Sequence, residues 1–210
     1  MMQILLVDDH EIVRRGMKQL LAEAVPQAVV REASSLPEAR ELILRQAWNL
    51  VLLDINLPGG NGLELIAEIR RLHPGTAVMV LSAYSEEEFA VRAFRLGAAG
   101  YLTKASVAEE MLAAVQKVLA GGKYVSAALA EKLVTELGSP SSVEPHETLS
   151  PRELEVLRQV AMGKTTKEIA AGFSLSEKTI ATYRARIAGK LGHSTNVELT
   201  RYALQHKLVD

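Results

Sequence analysis

The chain has 210 residues, 48% of them apolar, a net charge of −1 and no cysteine. That length suits one or two packed domains, and the missing cysteine excludes disulfides, thiolate chemistry and Cys-based zinc sites. No apolar run approaches the roughly 20 residues that span a bilayer, and the N-terminus enters a strand rather than a signal peptide, so a cytoplasmic protein with no membrane partner is expected. Charge is unevenly spread. Residues 148–210 hold ten Lys+Arg against six Asp+Glu, or +4, and the remainder holds fourteen against nineteen, or −5. An acidic first part and a basic second part point to different partners.

The first part reads as a βα series. Strand 3–8 ends in Asp8-Asp9. Helix 10–24 follows, with Ile12, Val13, Met17, Leu20 and Leu21 assigned to one face. Val29-Val30 marks a second strand, and 36–47 a second helix. Leu50-Val51-Leu52-Leu53 ends in Asp54. Residues 58–62 form a loop, then Leu63, Ile66, Ile69 and Leu72 set a third helix. Strand 76–82 ending in Ser82, helix 86–96, strand 99–103 with Tyr101 followed by Lys104, and helix 106–120 complete five units. Short apolar runs closed by turn residues read as strands buried on both faces. Their alternation with helices predicts a doubly wound, five-stranded parallel sheet.

In such sheets ligands sit beyond the carboxyl ends of the strands. Those ends carry three carboxylates, one hydroxyl and one ammonium, an inventory for a hard cation and a phosphoryl group. Taken singly, each has a duller reading: Asp9 as a helix cap, Lys104 as a surface lysine, Ser82 as a strand-end hydroxyl, Tyr101 as a packed aromatic. Their joint placement favours one shared site.

Gly121-Gly122 closes the last helix, which bounds a first domain at 1–121. A linker is expected over 122–147, with a helix at 126–137 and an aperiodic, proline-containing stretch after it. The domain at 148–210 reads as all helical, with helices near 151–162, 166–173, 176–191 and 195–207. Ser150-Pro151-Arg152-Glu153, Thr165-x-x-Glu168 and Thr195-x-x-Glu198 are capping boxes, and Gly163 and Gly192 stand where C-terminal caps belong. The second and third helices are separated by Ser174-Leu175, a helix-turn-helix spacing. On the third helix, Ile180, Ile187 and Leu191 share one side, and Lys178, Thr182, Ala185 and Arg186 another. An apolar anchor face opposite a basic face of short side chains suits the major groove of DNA; a solvated basic face is the plainer alternative.

On these residues the chain resembles the two-component response regulators of the NarL/FixJ subfamily over nearly its whole length. Asp8-Asp9, Asp54, Ser82, Tyr101 and Lys104 fall in the order and spacing of the flavodoxin-like receiver domain. Leu149-Ser150-Pro151-Arg152-Glu153-x-Glu155-Val156-Leu157, Lys167-Glu168-Ile169-Ala170, Ser176-Glu177-Lys178-Thr179-Ile180 and Lys190-Leu191-Gly192 match the LuxR-type helix-turn-helix. Ala105 replaces a proline found in many receivers, and Tyr183 stands where a histidine is usual. With Ala181 and Ala185, Tyr183 bears on DNA sequence preference.

The resemblance implies a transcription regulator switched by phosphorylation, with a sensor histidine kinase as donor. It implies Asp54 as phosphoacceptor and Mg²⁺ held by Asp9 and Asp54 directly, by Asp8 through water and by the Asn56 backbone carbonyl. Lys104 and Ser82 would contact phosphoryl oxygens, and Tyr101 would change rotamer. The receiver would catalyse only its own phosphorylation and dephosphorylation. Lys178, Thr179, Thr182, Tyr183 and Arg186 would face double-stranded DNA, with Lys167 and Arg184 at phosphates. A homodimer in the active state would pair the last helix through some of Val197, Thr200, Arg201 and Leu204. Two other readings compete. An aspartate-nucleophile phosphatase would need a second Asp where Asn56 stands. A constitutive DNA binder with a vestigial receiver would be expected to have lost acidic residues.

Overall fold

A computed structural model of the chain describes residues 1–57, 60–83, 86–106, 108–126, 129–131 and 144–209, without the side chains of 86–88. The chain divides into two compact units, Met1–Ser141 and Ser142–Asp210.

In the first unit the strands are β1 (Gln3–Val7), β2 (Val29–Ala33), β3 (Leu50–Leu53), β4 (Ala77–Ser82) and β5 (Gly100–Thr103). They form one parallel sheet in the order β2-β1-β3-β4-β5. Between them run α1 (Glu11–Ala24), α2 (Leu36–Arg45), α3 (Gly62–Leu72) and α4 (Glu86–Arg95), and α5 (Ala108–Leu119) follows β5. The two-residue period of a strand divides the apolar runs between two faces. Ile4, Leu6, Leu50, Leu52, Met79, Leu81 and Leu102 pack with Met17 and Leu21 of α1 and Met111, Ala114, Val115 and Val118 of α5. Their neighbours in sequence, Leu5, Val7, Val51, Leu53, Val80 and Tyr101, point the other way and are equally buried. On that side α2 meets α3, and α3 meets α4.

The chain moves outward from β1 to β2, then returns across β1 to β3, so the switch point lies between β1 and β3. Val7 pairs with Leu53, Leu53 with Val80, and Val80 with Tyr101. One residue further on, Asp8 and Asp54 emerge side by side at that switch point. The β3–α3 connection is held close to the strand. Gly62 N–H donates to the Ile55 carbonyl at 3.3 Å, and a Cβ at position 62 would lie 2.6 Å from Ile55 Cα. Asn61 Oδ1 accepts from Leu63 N–H at 3.1 Å and starts α3.

One expectation needs correction here, and one alternative reading falls away. Ile12 is 86% exposed and does not share the buried face of α1. At about 100° per residue it lies roughly 130° from the centre of the Val13, Met17, Leu20 and Leu21 stripe. Asp9 does not cap α1 either: His10 holds the N-cap position, with no side-chain hydrogen bond to the helix. Of the expected helix at 126–137, residues 129–131 are helical; 127–128 and 132–137 lie outside the described residues, as does the expected linker from 138 to 143.

The second unit holds α6 (Pro151–Ala161), α7 (Thr166–Gly172), α8 (Glu177–Leu191) and α9 (Asn196–Gln205), preceded by a 3₁₀ turn at Pro145–Thr148. All three capping boxes form, at Ser150/Glu153, Thr165/Glu168 and Thr195/Glu198. Gly192 ends α8 with a left-handed φ of 71°, which glycine adopts without a Cβ penalty. Leu149, Val156, Leu157, Ile169, Ile180, Ile187, Leu199 and Ala203 form its buried centre.

The turn between α7 and α8 is longer than Ser174-Leu175, because Phe173 terminates α7 and Ser176 caps α8. Ser174 takes φ 54°, unusual for a residue with a Cβ. That conformation lets Leu175 N–H reach the Ala170 carbonyl at 2.9 Å. Residues 145–147, assigned above to the linker, form most of this 3₁₀ turn, which is built into the unit: His146 N–H donates to the Tyr202 hydroxyl at 3.2 Å.

Candidate functional site

Asp8 and Asp54 are 1% and 2% exposed, at the ends of adjacent strands. Lys104 follows β5 and is carried toward them by its backbone, whose N–H donates to the Ser82 carbonyl at 2.7 Å. Its Nζ donates to Asp54 Oδ2 at 2.6 Å. It lies equally close, at 2.6 Å, to Asp8 Oδ2. That second contact is a buried ion pair. Asp54 Oδ1 accepts from Asn56 N–H at 2.8 Å. Asp8 Oδ1 accepts from His10 N–H at 2.8 Å.

Burial raises the Asp54 carboxyl above its ordinary value, and this outweighs the opposing pull of Lys104. Burial pushes the Lys104 ammonium down, but Asp54 and Asp8 together more than offset that, so it is raised. The two shifts have different causes: burial dominates for Asp54, and the paired carboxylates dominate for Lys104.

Ser82 and Tyr101 are fully buried, Ser82 ending β4 and Tyr101 in β5. Asp9 is more exposed and faces His10, whose Nδ1 lies 2.8 Å from Asp9 Oδ1 and 3.1 Å from Asp8 Oδ1. Ligand atoms of Asp8, Asp9, His10 and Asp54 all fall within 4.8 Å of one another. The sequence reading missed His10, although it directly follows the acidic pair. It also missed Arg14, whose Nη1 donates to the Asp8 carbonyl at 2.7 Å and whose Nε donates to Glu32 at 3.1 Å. Arg14 lies one helical turn beyond His10, which puts both at the same end of α1.

In the second unit, Lys178, Thr182 and Arg186 are exposed along one side of α8, and Lys167 is exposed on α7. Ile180, Ile187 and Leu191 are buried on the other side. Thr179 is half-buried, with Oγ1 2.8 Å from Ser176 Oγ. Tyr183 is half-buried. Arg184 is placed differently from the others: it donates to Thr166 Oγ1 of α7 at 3.1 Å and to Asn196 Oδ1 of α9. Its guanidinium braces three helices together.

Residues 4–116 match the family described as response regulator receiver domain, and residues 147–203 match the bacterial regulatory proteins of the luxR family. The chain belongs to the response regulator family. As a response regulator with a LuxR-type domain, it is a DNA-binding transcription regulator controlled by phosphorylation. It is 39% identical to the response regulator GacA of Pseudomonas protegens, over 100% of this chain and 99% of that one. It is 34% identical to the response regulator UvrY of Escherichia coli, over 99% of this chain and 96% of the other. Among solved structures, the RcsB–DNA complex gives a TM-score of 0.57 at 25% identity, covering 97% of this response regulator and 98% of RcsB. A LuxR-family response regulator from an Aurantimonas species gives 0.58 at 34% identity, over 65% of this chain and 98% of that one.

Proposed function

We propose that Asp54 is the phosphoacceptor and that Asp8, Asp9, Lys104, Ser82 and Tyr101 complete its switch. The observation that carries this reading is the Lys104 ammonium at 2.6 Å from both buried carboxylates. A carboxylate oxygen of Asp54 attacks the phosphorus of the donor, and the bond to the donor's leaving group breaks. Lys104 then pairs with a phosphoryl oxygen in place of the carboxylate it now holds. Ser82 donates to another phosphoryl oxygen, and Tyr101 reorients as the loop after β4 closes. The receiver in this way catalyses its own phosphorylation, with a sensor histidine kinase as donor.

A divalent cation fits the pocket. Oxygen donors of Asp8, Asp9 and Asp54 lie within 4.8 Å of one another, a donor set of three carboxylates. Hard oxygen ligands select Mg²⁺. Asp9 and Asp54 would hold it directly, Asp8 through water and Asn56 through its backbone carbonyl. Bound Mg²⁺ would supply charge that lets a phosphoryl group approach three carboxylates. Asn56 offers Asp54 a backbone N–H rather than a second carboxyl group, so the phosphatase alternative has no proton donor at that position.

The DNA-binding domain is assigned to 148–210 and the receiver to 1–121, joined by 122–147. Lys178, Thr179, Thr182, Tyr183 and Arg186 would face the major groove of double-stranded DNA, and Lys167 a phosphate. Arg184 would act on DNA indirectly, by holding α8 against its neighbours. Val197 and Leu204 are large apolar residues exposed on α9. A two-fold contact through them, with Thr200 and Arg201, would let a homodimer read two half-sites about one DNA turn apart. No helix among the described residues is long and apolar enough to cross a membrane.

The test is incubation with acetyl phosphate, with and without EDTA, followed by intact mass. One phosphoryl group should appear only with Mg²⁺, and none on Asp54→Asn. Wild-type labelling of that variant would overturn the assignment. DNA affinity of the full-length protein, with and without beryllofluoride and Mg²⁺, then reads the coupling. Equal affinity in both states would replace the switch with constitutive binding.

A further inference from the structure

Three histidines gather around Tyr202 in the second unit. His146, in the 3₁₀ turn, lies with its ring centroid 5.1 Å from that of His206, at the end of α9. Tyr202 stacks on His206 at 4.2 Å and meets His193 at 5.4 Å. Glu144 Oε2 lies 3.7 Å from His206 Nδ1. Ligand atoms of Glu144, His146 and His206 all fall within 4.8 Å of one another, and all three residues are half-buried. DNA recognition as described above uses none of them.

We propose that Glu144, His146 and His206 form a binding site for a divalent transition-metal ion, with Zn²⁺ the best chemical match. Two imidazoles and one carboxylate are a donor set that Zn²⁺ accepts in tetrahedral geometry, with water in the fourth position. With metal–ligand distances near 2.1 Å, neighbouring donors of a tetrahedron stand about 3.4 Å apart. The Glu144–His206 pair needs only a small contraction to reach that spacing. His146 Nδ1 is held 3.1 Å from the Tyr202 hydroxyl, which leaves Nε2 to ligate. An outer hydrogen bond of this kind fixes the tautomer and ring orientation of a metal-bound histidine. Two imidazoles with one carboxylate set this site apart from the pocket around Asp54, where three carboxylates meet one imidazole and harder ions are suited.

The consequence is mechanical. Glu144 and His146 begin the second unit, and His206 ends the helix that carries Val197 and Leu204. A bound ion would tie the entry segment to that helix and stiffen the surface proposed for pairing.

The experiment titrates untagged, metal-stripped full-length protein with Co²⁺ and then Zn²⁺, in saturating Mg²⁺ to occupy the receiver pocket. We expect the strong visible absorption of tetrahedral Co²⁺, displaced by one equivalent of Zn²⁺. His206→Gln and His146→Gln should lose the absorption and weaken Zn²⁺ at least tenfold. His193→Gln, a histidine of the same cluster outside the donor set, should keep both. Should the histidine variants fail to fold by circular dichroism, the half-exposed Glu144→Gln carries the test, with weakened Zn²⁺ and altered absorption expected. Absence of tetrahedral absorption in the wild type, or wild-type titrations from the folded variants, overturns the site.

Discussion

Lys104 Nζ stands 2.6 Å from Oδ2 of Asp54, a residue 50 positions earlier in the chain. An ion pair that is solvent-exposed contributes little, but here Asp54 is almost fully buried, so its charge state matters to the fold. Burial raises the Asp54 carboxyl even with Lys104 beside it. A group whose folded value exceeds its unfolded value stabilises the fold at pH below the unfolded value, and loses that contribution as pH rises through the folded one. At neutral pH, without a cation, the ionised Asp54 therefore works against folding. Asp54→Asn should raise the melting temperature at pH 7 in EDTA. That advantage should vanish below about pH 4, where the wild-type carboxyl is protonated in both states. A pH series of thermal melts on both proteins checks the sign, and a less stable variant at pH 7 would reverse the assignment of burial as the larger effect.

Mg²⁺ should reverse that penalty in the wild type. Binding to the folded state alone stabilises by about 2.7 kcal/mol at a concentration one hundred times Kd. Thermal melts across a Mg²⁺ series should rise for the wild type and stay flat for Asp54→Asn. Equal rises in both proteins would place the ion elsewhere.

Lys190 Nζ lies 2.6 Å from Oε2 of the buried Glu153, whose same oxygen accepts from Ser150 N–H at 2.7 Å. Lys190→Met should leave Glu153 charged, buried and short of one partner. The cost should be about 1–3 kcal/mol, below the full cost of breaking a buried pair because Lys190 is partly exposed. Urea unfolding of the second unit measures it. A change under about 0.5 kcal/mol would show that the pair carries little.

The basic side of α8 should act through phosphates and bases differently from Arg184. Lys178→Ala should weaken binding across DNA sequences, and if it contacts a phosphate it should flatten the salt slope by about one unit. Arg184→Ala should instead lower the stability of the second unit, since it frees Thr166 and Asn196 together. Fluorescence anisotropy across a salt series separates the two. Wild-type slope and affinity from both Lys178→Ala and Arg186→Ala would mean that α8 is not the reading helix.

Val197 is 78% exposed and Leu204 52%. Val197→Asp with Leu204→Asp should change monomer stability little, as exposed substitutions usually do. It should abolish the self-association of the beryllofluoride form in sedimentation velocity. Retained dimers would move the pairing surface off α9.

What the sequence determined by itself is what depends on near neighbours. The runs at β1, β3 and β4 declare buried strands because both alternating faces are apolar. Ser150, Thr165 and Thr195 declare helix starts because each cap reaches a glutamate only three residues on. The order of Asp8, Asp54 and Lys104 along the strand ends was enough to bring these three together, since a parallel sheet carries those ends to one edge. Packing between remote segments was not readable in this way. Ile12 looked apolar enough to be buried, yet its angle on α1 turned it to solvent. His10 and Arg14 joined the acidic pocket only because α1 starts beside it. Arg184 looked like one more cation on a basic helix, until α7 and α9 supplied partners on either side. Glu153 with Lys190, and His146 with His206, meet because four helices close on one another. Local hydrogen bonds and side-chain periodicity are encoded within a turn or two of chain. Which side chains meet across elements is decided by how those elements pack, and only the tertiary structure carries that.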